Sequence, residues 1–235
     1  MNPLAVITGG TKGIGRAVIE RFLSEGFDVA TCSRNDSELQ ILQQELASSF
    51  PKSEIFVFKA DLSIRAEVDA FVHFIQSKNR ETGVLINNTG VFIPGQIHNE
   101  EEGTLEKTIE TNLYSAYHLT RGLLPGMMER RKGHIFTICS TASIIAYPNG
   151  GSYCISKFAL YGMTKVLREE LKSFDIKVTA VLPGATYTDS WKGSGLPEDR
   201  FMNASDVAES IWSAYALSSR AVVEEILIRP QLGDI

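Results

Sequence analysis

At 235 residues, 43% of them apolar and 22% charged, the chain has a globular composition and can bury a core without disulfides or a structural metal. Its formal net charge of −5, with basic residues scattered along the chain, leaves no cluster to hold nucleic acid or an anionic membrane surface. Cys32, Cys139 and Cys154 are odd in number and lack metal-ligand spacing, which excludes a disulfide framework and reads as reduced packing residues in a cytoplasmic protein.

The opening run 4–7 (Leu-Ala-Val-Ile) is too short for a signal sequence or a membrane span and begins a strand over 3–8. A helix over 14–25 follows, closed by Gly26 where a C-terminal glycine belongs. Strands are then expected over 28–33, 54–58, 84–87, 133–138, 176–182 and 222–228. Helices are expected over 36–49, 64–79, 102–130, 153–173 and 205–217, with Ser63 and Ser205 at N-cap positions. The strands read as nearly continuous apolar runs, as in Val84-Leu85-Ile86, and such runs fit strands covered on both faces. Strict alternation with helices predicts a single α/β domain over 1–235, a Rossmann-type doubly wound fold with a seven-stranded parallel sheet. The least regular segment, 188–203, follows the sixth strand on the ligand-binding edge of such a sheet and is expected to be a substrate lid.

The first strand runs into Thr8-Gly9-Gly10-Thr11-Lys12-Gly13-Ile14-Gly15 at the start of a helix. Backbone N–H groups at a helix N-terminus hold a pyrophosphate, and glycines let the chain approach it closely. The second strand ends Cys32-Ser33-Arg34-Asn35, with Ser33 where an acidic residue would hold a free ribose 2′-hydroxyl. Arg34 and Lys12 offer cations for a 2′-phosphate, and no carboxylate stands at the strand end to repel it. NADPH is therefore expected rather than NADH. Further along, Tyr153 and Lys157 of Tyr153-Cys154-Ile155-Ser156-Lys157 are four apart and share a helix face. An ammonium beside a phenol favours the phenolate and makes the pair a usable acid–base. Cys139 and Cys154 flank these residues, so thiol reagents would interfere incidentally. The four histidines (His73, His98, His118, His134) share no ligand spacing, and no metal is expected.

These motifs jointly resemble the short-chain dehydrogenase/reductase family. The Thr-Gly-x-x-x-Gly-Ile-Gly loop is similar to its cofactor signature, and Asp61-Leu62 resembles the pair that holds the adenine ring. Asn87-Asn88-Thr89-Gly90 resembles the family's Asn-Asn-Ala-Gly, with Thr89 in place of alanine. Pro183-Gly184-Ala185-Thr186-Tyr187-Thr188 resembles the segment that packs against the nicotinamide. The resemblance implies a cofactor site made of Gly9, Thr11, Lys12, Gly13, Ile14, Gly15, Ser33, Arg34, Asp61, Leu62, Asn88, Gly90, Tyr153, Lys157, Pro183, Gly184, Thr186 and Thr188. It also implies four catalytic residues. Ser140, thirteen positions before Tyr153, would donate a hydrogen bond to a substrate carbonyl oxygen that Tyr153 protonates. Lys157 would assist Tyr153 and hold the nicotinamide ribose, and Asn112 would anchor a proton-relaying water.

The tail Gly233-Asp234-Ile235 lacks the ending of acyl-carrier-protein ketoreductases and, with the Pro-Gly-Ala-x-Tyr-Thr segment, resembles the family's bacterial sepiapterin reductases. The substrate implied is a small-molecule carbonyl, a pterin with a side-chain ketone, held by Ser140, Tyr153 and Trp191, whose indole would stack on a flat heterocycle. Tyr147 and Tyr187 are further aromatics near the cleft, and Asp189 or Asp234 would meet the pterin's guanidine-like edge. A 3-oxoacyl-thioester or other small-carbonyl reductase keeps the chemistry and changes the pocket, whereas a non-catalytic dinucleotide-binding sensor would be free to lose Ser140, Tyr153 or Lys157. Family members commonly assemble as homodimers or homotetramers, which the resemblance implies here through the helices over 102–130 and 153–173, although a monomer would use the same apolar faces to cover its own sheet.

Overall fold

The computed structural model describes residues 2–189 and 195–234. Seven strands, β1 (Leu4–Thr8), β2 (Asp28–Ser33), β3 (Ile55–Lys59), β4 (Thr82–Asn87), β5 (Gly133–Ile138), β6 (Ile176–Pro183) and β7 (Glu225–Ile228), form one sheet in the order 3-2-1-4-5-6-7. Every pairing is parallel. The helices are α1 (Gly13–Ser24), α2 (Asp36–Ser49), α3 (Arg65–Ser77), α4 (Thr104–Ile109), α5 (Ser115–Arg130), α6 (Gly151–Leu171) and α7 (Ala204–Tyr215).

Alternation along β1 sends Ala5 and Ile7 to one face of the sheet and Leu4 and Val6 to the other. Ala5 and Ile7 pack with Phe22 of α1 and Ile211 of α7, and Leu4 and Val6 pack with Phe71 of α3 and Leu119 of α5. Both faces are covered, which is why the strands are apolar at nearly every position. The chain lays β1 to β3 outward in one direction, then β4 to β7 in the other. That reversal opens a crevice between β1 and β4 at their carboxyl ends, the place where open α/β sheets bind ligands.

Three local expectations are corrected. The helix expected over 102–130 is interrupted by a π-helical turn, Glu110–Tyr114, in which the Ser115 N–H reaches back to the Glu110 carbonyl. Neither expected serine caps a helix. Ile64 occupies the N-cap of α3 while the Ser63 hydroxyl donates to Asp61 at 2.7 Å, and Asn203 occupies the N-cap of α7 with Ser205 already inside it. The edge strand β7 is shorter than expected, beginning at Glu225. Gly26 does follow α1 with φ +80°, its N–H bonded to the Leu23 carbonyl. Among the described residues, no helix is long and apolar enough to cross a membrane.

Candidate active site

The crevice is built by the two turns that leave β1 and β4. Thr8, the last residue of β1, accepts the N–H groups of Asn88 and Thr89 on its hydroxyl, each at 2.9 Å. The Asn88 amide donates back to the carbonyls of Thr8 (2.8 Å) and Gly9 (3.2 Å). This lacing fixes the glycine turn, where Gly9 and Gly13 take φ of +65° and +54°. A Cβ on Gly15 would lie 2.3 Å from the Gly9 carbonyl oxygen and 2.6 Å from the Asn88 amide nitrogen, so the first turn of α1 seats against the loop only without a side chain.

Two clefts meet across this turn. The smaller, of about 180 Å³, is lined by Gly9, Ser33, Arg34, Asp61, Leu62, Asn88 and Gly90, with Ala60, Thr89, Val91 and Thr111 added. The larger, of about 580 Å³, is lined by Lys12, Gly13, Ile14, Ser140, Tyr153, Lys157, Pro183, Gly184, Thr186 and Thr188. Asn88, Gly90 and Val91 line both. A paired cleft on either side of a glycine turn suits a dinucleotide, one nucleoside to each side. Thr11, Gly15 and Asn112 lie outside both linings; Gly15 acts through close packing and Asn112 through the backbone of the wall.

The sequence placed Lys12 as a cation free to meet a 2′-phosphate. In the structure its ammonium pairs with Glu38 at 2.8 Å and Asp189 at 3.5 Å. The first turn of α2, capped by the Asn35 side chain, swings Glu38 back over the glycine loop. Hydrogen bonding to Glu38, then to Asp189, holds Lys12 above the ordinary lysine value, and the same contact holds Glu38 below the ordinary carboxylate value. Arg34, at the mouth of the smaller cleft, makes no ion pair among the described residues and remains the available guanidinium.

The Ser140, Tyr153 and Lys157 side chains share the wall of the larger cleft. Ser140 lies two residues beyond β5 and caps a short 3₁₀ turn (Thr141–Ser143): its Oγ accepts the Ala142 N–H at 3.1 Å, and its own N–H donates to Ser143 Oγ at 3.2 Å. The Ser140 hydroxyl proton is therefore left to donate. Tyr153 and Lys157 lie one turn apart on α6, with the Lys157 Nζ 5.8 Å from the Tyr153 ring centre. Phe92 packs edge-on against Tyr153 at 5.0 Å. Lys157 is only 5% exposed and donates to the Ile138 carbonyl at 2.8 Å. Among the described residues that is its one hydrogen bond, so two ammonium donors face the cleft beside Gly90. A buried cation with spare donors is costly in isolation and fits a site that takes hydroxyl groups.

Asn112 sits in the π-turn, fully buried. Its Oδ1 accepts the Val91 N–H at 2.7 Å, and its amide donates to the Val91 carbonyl at 3.0 Å and Ser156 Oγ at 2.9 Å. It thus ties the wall after β4 to the catalytic helix, between Tyr153 and Lys157. Trp191 lies outside the described residues. Sequence reasoning missed Val91, Phe92, Thr111 and Ile145, apolar or small positions that mark a cleft only once the loops are folded. All three cysteines are buried. Burial pushes the Cys32 thiol up to about 12 and the Cys139 thiol up to about 11, which argues against the thiol sensitivity expected of Cys139. Among the described residues no group of three or more His, Cys, Asp or Glu is placed to hold a metal ion.

A parallel sheet whose switch-point crevice joins a glycine turn to a Ser–Tyr–Lys wall defines a Rossmann-type oxidoreductase. The short chain dehydrogenase family model matches residues 3–198, and the chain belongs to that family. It is 32% identical, over a 243-residue alignment covering 100% of this chain and 99% of the relative, to a sepiapterin reductase of Chlorobaculum tepidum. A metagenomic short-chain oxidoreductase solved in complex with NADP is 26% identical with a TM-score of 0.84, over 97% of each chain. An alcohol dehydrogenase from the archaeon Thermococcus sibiricus, complexed with 5-hydroxy-NADP, shares the fold with a TM-score of 0.90 at 22% identity, over 100% of this chain and 99% of that one.

Proposed function

We propose that the protein is an NADPH-dependent carbonyl reductase whose substrate is a pterin bearing a side-chain ketone. The observation that carries this reading is the larger cleft, which holds Ser140, Tyr153 and Lys157 on one wall and the glycine turn with Pro183 and Gly184 on the other. NADPH, when bound, supplies the hydride that reduces the carbonyl carbon. Ser140 orients the carbonyl oxygen by donating its free hydroxyl proton as a hydrogen bond, opposing the negative charge that grows there. Tyr153 gives that oxygen its proton. Lys157 keeps a cation beside the phenol and offers its spare donors to ribose hydroxyls. Asn112 holds the wall after β4 against α6 and anchors a water on the proton path.

The full-length similarity to a sepiapterin reductase supports the pterin. So does Asp234, which lines the cleft and whose carboxylate, paired on Oδ2 with Arg229 at 3.4 Å, keeps Oδ1 to accept from an aminopyrimidine edge, with Tyr147 as an aromatic wall. The stretch 188–203, of which 190–194 lie outside the described residues, would serve as the lid of a single NADP-binding unit. Thr188 packs on Gly13, and Arg200 donates to the carbonyls of Leu232, Gly233 and Asp234 beyond its far end. Exposed apolar side chains on the π-turn, α5 and α6, among them Tyr114, Tyr117, Phe158 and Val166, support assembly as a homodimer or homotetramer.

The test compares kcat/KM for sepiapterin with that for a 3-oxoacyl thioester under saturating NADPH. Preference for sepiapterin by about tenfold or more, worth about 1.4 kcal/mol, is expected; preference for the thioester moves the substrate to the acyl class. Cofactor choice has its own expected result. Arg34→Ala weakens NADPH binding by about tenfold, the cost of one charge-assisted phosphate contact, and leaves NADH binding unchanged. Lys12→Ala, whose ammonium is already shared with Glu38 and Asp189, has the smaller effect in the same titration.

A further inference from the structure

The catalytic helix carries no cap of its own. Its N-cap is Gly150, and no acidic residue lies in its first turn. The cap comes instead from the loop after β4. Glu100 accepts the Ser152 N–H on Oε1 at 2.8 Å and the Ser152 hydroxyl on Oε2. Ser152 is 1% exposed and immediately precedes Tyr153. The contact is built into the chain on both sides: a Cβ on Gly151 would lie 2.1 Å from Glu100 Oε1, and a Cβ on Gly95 would lie 2.6 Å from Glu100 Cγ. The same loop is pinned to the start of α6 by the Gly95 N–H on the Asn149 carbonyl at 3.1 Å. It also supplies Phe92, which packs on the Tyr153 ring.

We propose that Glu100 is a positioning residue for Tyr153: by capping α6 through Ser152 from the loop after β4, it fixes where the phenol meets the substrate carbonyl. A carboxylate at a helix N-terminus satisfies donors that would otherwise lack partners and is favoured by the helix dipole. Here that interaction also ties the loop that carries Phe92 to the start of α6, and sub-ångström placement of the proton donor governs the chemical step more than binding. The proposal rests on the reading of Tyr153 as the proton donor.

The experiment measures NADPH-dependent reduction of sepiapterin, or of a small 1,2-diketone if sepiapterin is not turned over, by wild type, Tyr153→Phe, Glu100→Ala and Glu100→Gln. Glu100→Ala is expected to lower kcat about 10- to 100-fold. KM and the NADPH Kd should stay within about twofold, the pattern of a lost transition-state interaction. Glu100→Gln restores most of kcat, since its amide can accept the Ser152 N–H and donate to the Ser152 hydroxyl. Should Glu100→Ala not fold, Ser152→Ala, which removes only the hydroxyl contact, is read in its place, with kcat falling about threefold or more at unchanged NADPH Kd. The proposal is overturned by a kcat at the wild-type value, or by a kcat that falls only in step with NADPH binding, as a purely structural role would give. If Tyr153→Phe matches wild type, the reading of Tyr153 fails instead, so the two failures are distinguishable.

Discussion

Tyr153→Phe is expected to lower kcat for carbonyl reduction by about 10²- to 10⁴-fold, the usual contribution of a positioned general acid. The substitution removes one oxygen and little else. The ring keeps its edge-on packing against Phe92 at 5.0 Å, and Lys157 keeps its bond to the Ile138 carbonyl. NADPH binding, measured by fluorescence titration, should therefore stay near the wild-type value. Loss of turnover with binding intact assigns the phenol to the chemical step; a kcat within about tenfold of wild type would assign proton transfer to another group.

Gly15→Ala is expected to weaken NADPH binding about 10- to 100-fold, because overpacking of a tight site costs about 1–3 kcal/mol. The added carbon would sit 2.3 Å from the Gly9 carbonyl oxygen, which is backbone and moves only with the whole turn. The Asn88 amide, 2.6 Å away, would lose its place too, and with it the lacing of the β1 and β4 turns. Thermal unfolding should shift downward in the same variant. Gly26→Ala is the control: that glycine has open space around it and lies beyond the far end of α1, so its cost comes from the positive φ and should leave NADPH affinity unchanged. An unaltered Kd in Gly15→Ala would show that the turn tolerates the shift and does not depend on close packing.

The sheet was legible because its strands are covered on both faces, so each one announces itself as an apolar run. The glycine turn, Ser140, Tyr153 and Lys157 were legible because spacing along one strand–turn or one helix fixes their placement. What escaped depended on contacts across the fold. The π-turn at Asn112 accompanies hydrogen bonds to Val91 and Ser156, 21 and 44 positions away, and helical periodicity carries no sign of it. Lys12 and Glu38 are 26 positions apart and meet because α2 begins over the glycine loop. Glu100 stands in an acidic stretch that reads as a solvated surface. Its partner signal, glycine at 95 and 151, has meaning only when the loop and the catalytic helix lie side by side. Ser63 and Ser205 illustrate a smaller error of the same kind, with a neighbouring residue taking the cap each was expected to make.

The most direct test of the central claim is isotope transfer. Wild-type protein is mixed with sepiapterin and NADPH carrying deuterium at both nicotinamide C4 positions, and the alcohol product is analysed by mass spectrometry. The account predicts one deuterium on the former carbonyl carbon, with the labelled alcohol formed about 10²-fold or more slowly by Tyr153→Phe. An alcohol formed without the label, or no reduction by a wild-type protein that binds NADPH, would contradict it.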